Sequence, residues 1–143
     1  MLQTFSASVA RDRFAELRRA ALKGQEILIE DGKKNSSPLI SLISTEILDS
    51  MTDKFSFSPV WTQDEDGGYT VSIEEIDILG YGDTRDEAAE VLAKAVLEYA
   101  ESYFAELDFY RSSLVNRGSH YPYLRRISRC QDNIDAVKQV LGV

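Results

Sequence analysis

The spacing of apolar and polar positions changes period several times along the chain, and each change marks a predicted element. Residues 55–61 and 69–73 alternate or are β-branched, as strands do. Asp66-Gly67-Gly68 lies between them, where a tight hairpin needs φ > 0. A third short run, residues 78–82, reads Ile-Leu-Gly-Tyr-Gly and predicts a strand with glycines at points where the backbone bends. The period then becomes three and four: Ala88, Val91, Leu92, Ala95, Val96, Tyr99 and Tyr103 make one buried stripe of a helix. Thr84 stands three residues before Glu87 in the spacing of a capping box, so the helix opens there, and no glycine or proline stops it before Phe109 or Tyr110. Residues 60–97 therefore predict a small sheet under one helix.

Ahead of this stretch, residues 2–5 form an extended start. Ser6 or Ser8 caps a helix that runs to Lys23 and is stopped by Gly24, with Ala10, Phe14, Leu17 and Ala21 as its stripe. Residues 26–30 and 38–43 are two short strands joined by a long turn, and Ser44 or Thr45 caps a second short helix that ends near Met51. Behind it, residues 116–120 carry turn chemistry. Pro122 begins a further helix bearing Leu124, Ile127, Ile134, Val137 and Leu141. The class is α+β. The predicted organisation is 1–54, 55–110 and 111–143.

Charge changes this picture more than composition does. At 143 residues and 43% apolar content the chain can build a core. Its net charge of −8 is unevenly spread: residues 1–54 balance, residues 55–110 hold fourteen acidic and two basic side chains, and residues 111–143 hold six basic and two acidic ones. An acidic middle repels phosphates and attracts basic proteins, or else it only keeps the chain soluble. The start lacks a basic-then-apolar leader pattern and no apolar run reaches 18 residues, so neither export nor a membrane span is expected and the cytoplasm is the default. The single Cys130 reads as a small semi-buried apolar residue, and the single His120 as a surface residue beside a loop. Seven of the fourteen Phe, Tyr and Trp residues fall between Tyr99 and Tyr123. They serve either the chain's own core or a partner surface, and Tyr103, Phe109, Tyr110, Tyr121, Tyr123 and Leu124 are the candidates for the latter.

Two family resemblances lie side by side. The order Thr4-Phe5-Ser6-Ala7-Ser8-Val9-Ala10-Arg11, then Lys23-Gly24-Gln25-Glu26-Ile27-Leu28-Ile29, a turn, and Pro38-Leu39-Ile40-Ser41-Leu42-Ile43 resembles the N-terminal domain of Phd/YefM antitoxins over about residues 2–51. That likeness implies a βαββα module that dimerises and binds operator DNA, with Arg11 matching the arginine early in the family's first helix. Many members also carry a basic residue just after the second strand, where this chain has Glu30 and Asp31. Lys33 and Lys34, further along the turn, either substitute for it or only solubilise the tip. With Arg13 they complete the candidate DNA-binding set. Residues 55–105, with Asp64-Glu65-Asp66-Gly67-Gly68-Tyr69, the glycine-bearing strand and Gly82-Asp83-Thr84 opening a helix, resemble HicB antitoxins. This implies an antiparallel, partial ribonuclease H-like sheet with a long helix. The chain has residues 74–77, Glu-Glu-Ile-Asp, where that family usually has a proline and a short turn.

Ribonuclease H-type chemistry needs carboxylates that converge on two metal ions, and Asp64, Asp66, Glu74, Asp77 and Asp83 are the candidates. Asp64 and Asp66 sit on a hairpin tip, where side chains diverge. His120 and Cys130 lie ten residues apart without a nucleophile signature, and no phosphate-binding loop or metal-spaced His/Cys set occurs. No catalytic residue, metal or cofactor is therefore assigned. Together the resemblances imply a type II antitoxin that neutralises a protein toxin, expected to be basic and ribonuclease-like, and represses its own operon as a homodimer or larger assembly. The alternatives are a small regulatory or oligomerisation protein that does not bind DNA, and a metal-dependent nuclease. Incubation of the chain with RNA or DNA and magnesium or manganese should leave the nucleic acid intact. Cleavage that disappears on Asp64→Asn or Asp83→Asn would show the nuclease reading to be the right one.

Overall fold

Ser6 closes β1 (Gln3–Ser6) and caps the helix after it, its hydroxyl accepting from the Val9 amide at 3.3 Å. The computed structural model describes residues 2–32 and 39–143 and separates into two units, Met1–Met51 and Thr52–Val143. In the first unit the predicted single helix is two, α1 (Ala7–Asp12) and α2 (Phe14–Leu22), because Arg13 leaves helical geometry at φ −108°. Gly24 ends α2 at φ +101°. β2 (Ile27–Glu30) pairs parallel to β1 and antiparallel to β3 (Leu39–Leu42), so α1 and α2 form the crossover that a parallel pair requires. Helix α3 (Thr45–Thr52) follows, Ser44 accepting from the Ile47 amide. The core here is small: Ala10, Leu17 and Ile27 are buried, with Phe5, Ala20, Ile29 and Leu42 against them. Phe14, expected in the stripe, is 55% exposed.

The second unit is built on an antiparallel sheet in the order β4 (Val60–Gln63), β5 (Tyr69–Ile73), β6 (Ile78–Gly82). The first hairpin closes as predicted at 66–68, but only Gly67 takes positive φ, at +89°. Residues 55–59 are not strand as expected. α6 (Tyr121–Ser128) holds that stretch instead: Arg126 donates to the Phe55 carbonyl at 2.8 Å, and the Tyr123 ring packs on Phe55 and Phe57. The second hairpin turns through Asp77 at φ +57° and drops Ile76 into the core.

Gly80 and Gly82 seat the long helix α4 (Arg85–Ala105) on β6. A Cβ on Gly80 would lie 2.5 Å from the Ala88 carbonyl oxygen, and one on Gly82 would lie 2.5 Å from the Ala88 nitrogen. These glycines permit close approach; neither one bends the strand through a positive φ. Thr84 caps α4 by accepting from the Glu87 amide, and the Glu87 carboxylate reaches back to the Asp83 amide at 2.9 Å, one residue earlier than in the usual box. The buried face is wider than one stripe. Ala88, Leu92, Val96 and Tyr103 are joined by Ala89, Ala93 and Ala100, while the expected Val91 is exposed, because α4 meets the sheet on one side and α6 and α7 (Ile134–Leu141) on others.

The expected extension of α4 breaks at Glu106 before the short α5 (Leu107–Tyr110). The single C-terminal helix is also two. Gln131 adopts φ +53° and Asn133 caps α7 from the Ala136 amide. Leu124, Ile127, Val137 and Leu141 join Val71, Ile73 and Ile76 in one core, so residues 111–143 complete the second unit.

The close seat of α4 makes a stability prediction. Gly80→Ala and Gly82→Ala should each cost about 3 kcal/mol, the upper end of the usual overpacking range. Thr84→Ala should cost about 1 kcal/mol. Gly118→Ala, where an added Cβ meets nothing within 4 Å, should stay within about 0.5 kcal/mol. Urea unfolding of the full chain measures all four. Equal effects at Gly80 and Gly118 would contradict the close approach.

Candidate functional site

In the first unit α1 and α2 pack on β1 and β2. Ile40 pairs with Ile29 on the helix side of the sheet, yet it is half exposed. Beside it an apolar cleft is lined by Ala7, Ala10, Phe14, Ile29 and the stem of Arg11. Arg11 lies in the last turn of α1, not early in the helix as the resemblance implied. Its side chain is 78% exposed and, among the described residues, pairs with the neighbouring Asp12 at 3.3 Å. Arg13 is more committed: Nε and Nη2 donate to both oxygens of Glu16 at 3.0 and 2.6 Å, and the guanidinium lies over the Phe5 ring. The hydrogen bond and charge of Glu16 raise the Arg13 pKa, and those of Arg13 lower that of Glu16. Lys33 and Lys34 lie outside the described residues.

In the second unit, the structure divides the aromatic candidates. Tyr103 and Leu124 have no exposed surface and belong to the core, because Tyr103 sits where α4 meets the C-terminal segment and donates to the Arg117 carbonyl at 2.9 Å. A toxin cannot reach either without unfolding the unit. Phe109 is 55% and Tyr121 40% exposed, while Tyr110 and Tyr123 are half-buried. Part of their ring surface packs on other rings: Tyr110 stacks on Tyr103 at 5.2 Å, Phe109 meets Tyr110 edge-on, and Tyr121 meets Phe104.

His120 is half-buried, not a surface residue as expected. Its Nδ1 lies 2.8 Å from the Tyr99 hydroxyl, and Arg117 donates to that same oxygen at 3.4 Å. With Arg117 donating to the Tyr99 oxygen, the Tyr99 O–H can donate to a neutral imidazole. Burial and then the Arg117 charge hold the His120 pKa below its ordinary 6.5. Arg117 also faces Asp77 at 3.6 Å, so the network ties α4, the 118–120 turn and the second hairpin together.

The acidic candidates do not form a metal site. Asp64 accepts from the Thr70 hydroxyl, Asp66 accepts from the Gly68 amide and the Tyr81 hydroxyl, and Asp77 pairs with Arg117. Among the described residues no three such side chains are grouped as ligands. Asp66 has a lowered pKa because those two hydrogen bonds favour its charged form.

A PHD-like family model, described as antitoxin of toxin-antitoxin, RelE / RelB, TA system, matches residues 1–143. The chain belongs to this antitoxin family. A solved structure agrees: the antitoxin part of a proposed toxin/antitoxin system from Syntrophomonas wolfei subsp. wolfei is similar at 25% identity and TM-score 0.79, over 96% of this chain and 95% of that one. No curated protein matches the chain significantly. The antitoxin is thus a non-enzymatic regulatory protein whose partner is a cognate toxin. Among the described residues no helix is long and apolar enough to cross a membrane.

Sequence reasoning missed one surface of this antitoxin. Val60, Leu79 and Tyr81 are exposed on the sheet of the second unit. The signal was present, since in the run 78–82 the residues between the inward glycines must point outward.

The half-buried imidazole predicts a pH dependence. A His whose folded pKa is depressed gives stability that is complete above its unfolded value near 6.5 and is lost as pH falls through the folded value. The melting temperature of the antitoxin should therefore fall as the pH drops below about 6.5, and His120→Asn should flatten that part of the profile. An identical profile in the variant would show that the ring is already equally basic in both states.

Proposed function

We propose that the antitoxin divides its work: a Phd/YefM-like first unit dimerises and holds operator DNA, and a HicB-like second unit holds the toxin. The segregation of charge carries this reading. Residues 1–54 are neutral overall, whereas residues 55–110 hold fourteen acidic side chains against two basic ones. Phosphates are repelled by the acidic stretch, and a basic, ribonuclease-like toxin is attracted to it. DNA contact then falls to the first unit, through the exposed Arg11, with Arg13 released from Glu16 or acting beside it, and through Lys33 and Lys34.

Dimerisation is supported by the apolar cleft along Phe14 and Ile29 and by the open Ile40, surface that a second copy would remove from water. A dimer doubles each basic contact. At physiological salt the Debye length is about 8 Å, so carboxylates beyond that distance oppose DNA only weakly. Such an assembly would act in the cytoplasm, where its operon lies.

Sedimentation of the full chain should report a dimer that Phe14→Glu or Ile40→Glu converts to monomer. Gel-shift titration of the DNA upstream of its gene, at two salt concentrations, should show salt-sensitive binding. Arg11→Ala should lower it by about 1–3 kcal/mol and relax sequence preference if the side chain reads a base, and Lys33→Ala or Lys34→Ala should lower it uniformly across sequences. A wild-type antitoxin that shows no salt-sensitive binding, with or without toxin, would neutralise without repressing.

A further inference from the structure

The two faces of the β4–β5–β6 sheet are unlike. Tyr69, Val71 and Ile73 of β5 and the glycines of β6 face α4, and that side is filled. Pairing places Val60, Ser72 and Leu79 in one row across the opposite face, and Thr62, Thr70 and Tyr81 in the next. Val60 is 48%, Leu79 61% and Tyr81 43% exposed. A row of valine and leucine ends beside a tyrosine, with threonine and serine hydroxyls between them, on a face where a soluble sheet normally carries polar residues throughout.

Carboxylates rim the tyrosine end of this face. Tyr81 donates to Asp66 at 2.8 Å, Thr70 donates to Asp64 at 2.9 Å, and Asp83 follows β6 directly. The three acids together act on the Tyr81 hydroxyl, whose pKa rises to about 12 chiefly through its bond to Asp66. None of the three forms a salt bridge with a described residue. Glu74 and Asp77 stand in the turn at the other end.

We propose that this open sheet face is the toxin-docking surface, with Val60, Leu79 and Tyr81 meeting apolar side chains of the toxin and Asp64, Asp66 and Asp83 meeting its lysines or arginines. The inference rests on the reading that the second unit holds a basic toxin, and it adds which surface does so. Charge selects the occupant. DNA would set its phosphates against uncompensated carboxylates, and a second copy would bring the same acidic rim against itself. A cationic protein gains from both the apolar centre and the charged rim, the arrangement in which a buried tyrosine contributes most to binding. Phe109 and Tyr121, comparably exposed but packed on Tyr110 and Phe104, form the competing candidate surface.

The test uses the full antitoxin and the purified toxin encoded beside it, with affinity read by titration calorimetry. Val60→Lys/Leu79→Lys changes two side chains that point into water, so its melting temperature should match the wild type while toxin affinity falls at least about 100-fold. Asp64→Asn/Asp66→Asn keeps shape and one acceptor oxygen on each side chain while removing two charges, and it should weaken binding about tenfold and flatten its salt dependence. Phe109→Ala/Tyr121→Ala should change affinity less than about threefold. The proposal is overturned if the lysine variant binds within threefold of wild type, or if the aromatic variant is the one that loses binding. It is also overturned if the lysine substitutions change the sedimentation of the antitoxin alone, which would make this face a contact between copies. A wild-type antitoxin that does not bind the toxin at all would refute the toxin-holding reading itself, an outcome distinct from a variant that matches a binding wild type.

Discussion

The close seat of α4 on β6 is the constraint on which the second unit depends. Two positions without a Cβ, Gly80 and Gly82, let helix backbone come within van der Waals reach of strand backbone around Ala88 and Leu92. The helix is then pinned at its start by Thr84 and Glu87 and by Arg85, whose guanidinium lies 4.2 Å over the Trp61 ring. A helix held this near the sheet fills one sheet face. Its remaining flanks take α6 and α7, and Lys138 of α7 bonds Glu90 of α4 at 2.7 Å. With the buried face of α4 spent on the sheet, α6 and α7, the outer face of the sheet is left as surface, and its alternation puts Leu79 and Tyr81 there.

Local signals were legible where one residue's chemistry decides the backbone. Ser6 and Thr84 were readable as caps, Gly24 as a stop and residues 66–68 as a hairpin turn, since each acts through bonds or φ values within a few residues. Tertiary contacts hid the rest. Residues 55–59 alternate like a strand but are taken by Arg126 and Tyr123 from far along the chain. The stripe on α4 was read as single because the 3.6 period finds one face, while this helix buries alanines on a second. Glycines in 78–82 were read as bends, although the missing Cβ matters for the helix packed above them. The breaks at Arg13, Glu106 and Gln131 occur at residues with no special backbone preference, so no composition rule marks them.

Among site residues, the split follows burial. Charge asymmetry between segments is a property of the sequence and survives folding, so the acidic second unit was visible beforehand. Which aromatics face out was not: Tyr103 and Tyr121 belong to one ring cluster, yet one is fully buried and the other 40% exposed. His120 looked superficial beside a glycine turn, but Tyr99 and Arg117 draw it inward. Membership in an antitoxin family gives these surfaces their meaning, since an antitoxin acts by what it covers.

The central claim is that two partners are held by two units, and hydrogen–deuterium exchange of the full antitoxin tests it most directly. Spectra would be taken of the protein alone, with its toxin, and with the DNA upstream of its gene. Toxin should slow exchange in Val60–Gln63 and Ile78–Gly82 and leave Ala7–Asp12 unchanged, whereas DNA should slow Ala7–Asp12 and leave the second sheet unchanged. Toxin protection confined to the first unit, with β4 and β6 exchanging as in the free protein, would contradict the account.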